Sequence, residues 1–108
     1  DISETRNATL GIANPTHFFV AIRYEPPEYP LPIVIAKGVD EVALRMRAIC
    51  EENGIPVIER PELARRLHKS LRVGEGIPVD LYEVFAEILK YVYSITGRTV
   101  DLSQIDAD

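Results

Sequence analysis

A single cysteine, Cys50, leaves the chain without an internal disulfide, and only two histidines, His17 and His68, accompany it. With no local cluster of ligand types, neither a structural zinc nor another cofactor is expected, and a reducing compartment is the simpler setting. Cys50 itself falls in a helical pattern and is read as a small packed apolar residue. Positive charge is also in deficit. Twelve Lys and Arg stand against seventeen Asp and Glu, a net charge of −5, which disfavours nucleic acid and anionic lipid as partners. No apolar run approaches the roughly 18 residues of a membrane span, and the opening Asp1-Ile2-Ser3-Glu4-Thr5-Arg6 has neither the cationic nor the apolar region of a signal peptide. Internal repeats and low-complexity segments are missing too.

What is present is an ordinary globular balance, 46% apolar and 27% charged in 108 residues, enough for one domain with one buried core. Residues 1–7 are polar. Ala8 to Ala13 sets Leu10 and Ile12 against Thr9 and Gly11, the period-two pattern of a strand. His17 to Tyr24 carries Phe18, Val20 and Ile22 on one face and Phe19 and Ala21 on the other, which predicts a central strand covered on both sides. Only Asn14, Pro15 and Thr16 separate the two, so they are expected to pair as an antiparallel hairpin.

The next segment, Glu25 to Pro32, holds four prolines and reads as a surface connection. Leu31 to Ala36 is the third expected strand, ended by Gly38. Val39, Val42, Ala43, Met46, Ile49 and Cys50 then form a helical stripe, with Asp40 as cap or first-turn carboxylate and Asn53-Gly54 as the stop. Pro56 to Glu59 is a fourth strand, and strand, helix and strand together predict a βαβ unit with parallel strands. Pro61 opens a helix faced by Leu63, Leu67 and Leu71, and Gly74-Glu75-Gly76 breaks the chain after it. Leu81, Phe85, Ile88, Leu89, Val92 and Ile95 make the longest amphipathic stripe, stopped by Gly97, with a polar tail over 98–108. The expected fold is therefore α/β, a four-stranded mixed sheet with about four helices packed around it and the Asn14–His17 turn between the first two strands.

Asn14-Pro15 carries an unusual chemical option. An Asn side chain is ordinarily attacked by the next residue's backbone nitrogen, but a proline nitrogen bears no hydrogen, so that deamidation route is closed. The reverse attack remains: the side-chain amide nitrogen of Asn14 adds to its own carbonyl carbon, closes a succinimide and expels the Pro15 nitrogen. In a flexible peptide this reaction is very slow, and it matters only where the fold holds Asn14 in a near-attack rotamer. The competing reading is that Asn-Pro simply starts a turn. An intein end also cyclises an Asn, but Ala13 before it and Pro15 after it exclude that chemistry.

The tetrapeptide Asn14-Pro15-Thr16-His17 between two strand patterns resembles the NPTH signature of the FlhB/YscU family, the export-switch proteins of flagellar and virulence type III secretion. Ala36-Lys37-Gly38-Val39-Asp40 is similar to the family's AKGVD. Pro61-Glu62-Leu63-Ala64-Arg65 is similar to its PPLAR, with Glu62 in place of the second proline, and Leu81-Tyr82-Glu83 matches a C-terminal helix motif. The resemblance covers residues 5 to 97 in order and spacing. It implies one autocleaving cytoplasmic domain over 8–97, with residues 1–7 as the end of a linker from a transmembrane domain, at the cytoplasmic face of the bacterial inner membrane. It further implies a cut between Asn14 and Pro15, an N-terminal strand that stays in the sheet, and a part in switching export substrate specificity. Implied partners are other export-apparatus proteins, secretion substrates and a length-control protein. The acidic-proline run Glu28 to Pro32 resembles the injectisome branch, whereas Ala36 to Asp40 looks more flagellar.

Residue by residue, Asn14 supplies nucleophile and electrophile, Pro15 blocks deamidation and leaves, Thr16 orients the turn, and His17 either assists proton transfer or fixes the turn's shape. This is a single intramolecular event, with no turnover of external substrates. A second set, Arg60, Arg65, Arg66, Lys69 and Arg72, is spaced along one helix of an acidic chain. It is either a solvated face or a docking surface for acidic partner segments. The alternative to the whole reading is a non-cleaving α/β interaction module in which Asn14-Pro15 is only a tight turn.

Overall fold

The computed structural model describes residues 1–15 and 17–98; Thr16 and all of the expected polar tail except Arg98 lie outside the described residues. A six-residue 3-10 helix, Ile2–Asn7, leads into strands β1 (Leu10–Asn14), β2 (Phe18–Glu25) and β3 (Tyr29–Val39). Helix α1 (Asp40–Glu52), strand β4 (Val57–Glu59), helix α2 (Pro61–Ser70), a short 3-10 turn (Val79–Leu81) and helix α3 (Tyr82–Thr96) follow. The sheet is mixed and four-stranded, in the order β3-β2-β1-β4.

The hairpin is antiparallel, its register running from Leu10 opposite Ile22 to Asn14 opposite Phe18. Strand β1 lies in the middle of the sheet and all five of its residues are buried, Gly11 and Asn14 included. Alternation splits the sheet between two cores. Leu10, Ile12, Val20 and Ile22 pack with Leu63 and Leu67 of α2 and Phe85, Ile88 and Val92 of α3. Ala13, Phe19, Ala21 and Ala36 pack with Ala43, Met46 and Cys50 of α1, and Ile2 of the leading 3-10 helix joins them. Val34 and Ala36 fall on opposite faces although two residues apart, because the pairing with β2 slips between them and leaves Ile35 as a bulge.

Several expectations are corrected. Gly38 does not end the third strand; β3 runs through it to Val39, and a Cβ there would sit 2.5 Å from Val42 Cγ1 and 2.9 Å from Met46 Sδ. The glycine is a close-approach site for α1, not a terminator. The proline-rich connection is likewise shorter than expected, since Pro30 and Pro32 lie inside β3. Proline is tolerated there because β3 is an edge strand. Its outer edge is covered by residues 74–77: Gly74 N–H donates to Val34 O at 2.7 Å, and Ile77 N–H donates to Pro32 O at 3.0 Å.

The βαβ unit also needs amendment. Strand β4 is parallel to β1, which runs parallel to β3 through β2, so the predicted direction holds. The two strands are not neighbours, however, because the hairpin occupies the space between them. In α3, Ile95 leaves the apolar stripe and is 53% exposed. Gly97 does stop that helix, in the left-handed conformation at φ 76°. Among the described residues, no helix is long and apolar enough to cross a membrane.

Candidate functional site

Asn14 ends β1 as the last residue of the paired hairpin, and Pro15 and His17 form the exposed turn beyond it. Proline in second position is the standard start of such a turn, and the residue before it is confined to extended backbone, as Asn14 is. The turn closes through the His17 N–H, which donates to the Asn14 main-chain carbonyl at 3.2 Å. The Asn14 side chain is buried, 8% exposed, and its Nδ2 reaches the Pro61 carbonyl at the start of α2 at 3.5 Å. Immediately before it, the Arg60 N–H donates to Ala13 O at 3.1 Å, extending the β1–β4 ladder to the last residue before Asn14.

His17 looks the other way. Its Nδ1 lies 3.5 Å from Asp40 Oδ1 at the start of α1, and its carbonyl accepts from the Asp40 N–H at 2.9 Å. Helices α1 and α2 cover opposite faces of the sheet, so the Asn14 amide and the His17 imidazole are held from opposite sides. What His17 brings to the Asn14 carbonyl is its backbone N–H. Beside the turn is a pocket of about 260 Å³ lined by Asn14, Pro15, His17, Phe19, Asp40 and Leu44 among others. Arg47 on its wall pairs with Glu59 at 3.1 Å.

Asp40 is the residue that the sequence reading left with only a helix-end role. It is the first residue of α1, makes no side-chain cap, and has φ 49°. Its partnership with His17 had no local signal, because 23 residues separate them. The paired strands bring them together: Phe18 lies opposite Val39, and the next pair outward is His17 with Asp40.

The five basic residues do not all belong to one helix. Arg60 precedes α2 and Arg72 follows it. Arg66 is bound to Asp80 at 2.6 Å and Arg65 to Glu62 at 3.8 Å, so the face is partly neutralised by its own chain. Arg65 also lies over the Phe18 ring at 5.8 Å, and His68 packs against the same ring at 4.9 Å. Burial, and then Lys37, push the His68 imidazole below its ordinary pKa. Lys37 Nζ donates to the His68 and Leu71 carbonyls at 2.8 and 2.9 Å, closing the C-terminal end of α2. Among the described residues there is no group of three or more His, Cys, Asp or Glu able to hold a metal ion.

Comparison with known proteins gives a consistent answer. The model of the FlhB HrpN YscU SpaS family matches residues 2–92. The flagellar biosynthetic protein FlhB of Bacillus subtilis is 37% identical over 92 residues, 85% of this chain and 26% of that protein. The hypersensitivity response secretion protein HrcU of Ralstonia nicotianae is 48% identical over 85 residues, 79% of this chain and 24% of that protein. The chain thus spans about a quarter of the length of the curated relatives it matches. Among solved structures, a C-terminal domain of EscU carrying an Asn-to-Asp substitution superposes with a TM-score of 0.82 at 32% identity, covering 93% of this chain and 87% of that one. Family model, relatives and fold agree, and the chain belongs to the FlhB HrpN YscU SpaS family.

Proposed function

We propose that this chain is the part of a type III secretion or flagellar export-apparatus protein that cuts its own backbone between Asn14 and Pro15, and so takes part in switching export substrate specificity. One observation carries the reading: the carbonyl under attack already accepts a hydrogen bond from the turn that displays it, at 3.2 Å from the His17 N–H. Attack of Asn14 Nδ2 on the Asn14 carbonyl carbon moves the C=O electron pair onto oxygen, and the same N–H stabilises that oxyanion. Collapse breaks the bond to Pro15, whose nitrogen leaves as a secondary amine. The proton lost by the attacking amide balances the one gained by Pro15. Asn14 becomes a C-terminal succinimide, and one water then opens the ring.

Burial of the Asn14 side chain and its contact with the Pro61 carbonyl restrict its rotamers, the condition under which a slow peptide reaction becomes fast. On this reading the domain stands at the cytoplasmic face of the bacterial inner membrane, with residues 1–7 as the end of a linker from a membrane domain and 98–108 as a polar tail. Partners of the full protein would be other export-apparatus components, secretion substrates and a length-control protein. Arg60, Lys69 and Arg72 of the α2 region, which have no ion-pair partner among the described residues, are the part of the basic set offered to acidic segments. No cofactor enters this chemistry.

Denaturing mass spectrometry of the purified chain over time tests the reading. Two fragments separating at the Asn14-Pro15 bond are expected, and none from Asn14→Ala. A wild-type chain that stays at 12.1 kDa after long incubation leaves only the non-cleaving interaction module.

A further inference from the structure

We infer that Asp40 is a positioning residue for the cleavage turn: it holds His17 by main chain and side chain together, and so aims the His17 N–H at the carbonyl that is attacked. The inference rests on the cleavage reading above and adds to it a residue 26 positions downstream of Asn14 in the chain.

The contacts form a short relay. The Asp40 N–H donates to the His17 carbonyl at 2.9 Å, Asp40 Oδ1 faces His17 Nδ1 at 3.5 Å, and the His17 N–H donates to the Asn14 carbonyl at 3.2 Å. The first two hold the carbonyl and the side chain of one residue, and a residue so held has less freedom in the direction of its N–H. Thr16, the residue before His17, lies outside the described residues.

Backbone conformation gives the second argument. Asp40 is the only non-glycine among the described residues with positive φ, at 49°. That conformation lets the chain turn from the end of β3 into α1 while keeping the Asp40 N–H directed at His17. Glycine would adopt it without steric cost, and Asp and Asn are among the few side chains that tolerate it. A carboxylate at this position is thus the residue that satisfies the backbone and also reaches the imidazole.

Stability does not explain the pair. The His17 and Asp40 side chains are 59% and 70% exposed, and exposed pairs contribute little to folding. A contact that adds little to the fold, stands beside the scissile bond and occupies an uncommon backbone conformation is suited to holding geometry.

The test measures first-order cleavage rates of Asp40 variants by mass spectrometry, starting from freshly refolded chain, alongside thermal midpoints. Asp40→Asn tolerates the same φ and keeps an oxygen acceptor, so its rate is expected within about threefold of wild type. Asp40→Gly keeps the N–H and removes the side chain, and Asp40→Ala also resists the positive φ; slowing of about tenfold or more is expected for both, with the larger loss in Ala. Hydrogen exchange in an uncleavable Asn14→Ala background reads the relay directly: Asp40→Gly is expected to raise the exchange rate of the His17 amide. A wild type that cleaves while Asp40→Gly cleaves at the same rate, with the His17 amide equally protected, overturns the inference and leaves the cleavage reading intact. A wild type that does not cleave overturns both.

Discussion

At the scale of the residue, the chain's single thiol and the Asn14 amide are separated by their environments. Cys50 is fully buried against Met46 and the sheet, and burial pushes its thiol up to about 11. Since the thiolate is the reactive form, almost none is present near neutral pH. A thiol reagent at pH 7.5 is therefore expected to leave the folded chain unmodified and to label Cys50 at once in strong urea, a difference read by intact mass. Labelling of the folded chain at the rate of a small free thiol would contradict the packing described here. Asn14 is also buried, yet its carbonyl stands where a strand gives way to a turn that carries a donor. Its chemistry was legible in the sequence because Asn-Pro closes one reaction and leaves another. The part of Asp40 was not, because nothing local ties a helix-opening residue to a turn 23 residues before it.

At the scale of the element, local pattern and long-range packing divided the work. The β1–β2 hairpin, helices α1 and α2 and the stop of α3 follow from periodicity, turn residues and caps that neighbours in sequence supply. The extent of β3 does not. Gly38 reads as a break on its own, and only the approach of Val42 and Met46 reveals it as a strand residue that must lack a side chain. The same geometry yields a prediction. Gly38→Ala forces a Cβ into contacts of 2.5 Å with Val42 Cγ1 and 2.9 Å with Met46 Sδ, so these side chains must give way or α1 must shift away from the sheet. Overpacking of this kind costs about 1–3 kcal/mol, to be read as a lower urea midpoint. Shortening the obstructing side chain, with Val42→Ala in the same molecule, should return part of that loss. Equal stability of wild type and Gly38→Ala would mean that α1 is not seated where it is described. Neighbouring β4 shows the limit from the other side: three residues long, it carries too little pattern to name its partner, and the hairpin decides that it lies beside β1.

At the scale of the whole molecule, the position of the turn determines what a cut would do. The N-terminal piece, residues 1–14, is not a tail. Strand β1 is hydrogen-bonded to β2 on one side and β4 on the other, and Leu10, Ile12 and Ala13 are at most 1% exposed. Thr9 adds a reciprocal pair with Tyr24: its Oγ1 accepts from the Tyr24 N–H at 2.9 Å and donates to the Tyr24 carbonyl at 3.2 Å. Ahead of it, the 3-10 helix packs the half-buried Ile2 against the core beneath α1. Burying three apolar side chains of this size is worth roughly 1.5–3 kcal/mol each for the larger two, and withdrawal of the strand would also strip two ladders of their partners. A cut there would therefore remove one covalent bond at the rim and leave both ladders of β1 in place. Native mass spectrometry of the fully cut chain is expected to give one species with the mass of both pieces, and size exclusion one peak at the uncut position. Denaturant should release the short piece only as the domain unfolds. Leu10→Ala, which removes a side chain that is 0% exposed in the α2 and α3 core, should lower the denaturant needed for that release. Loss of the short piece under native conditions, with the rest still folded, would show that β1 is not integral to the sheet once the turn is cut.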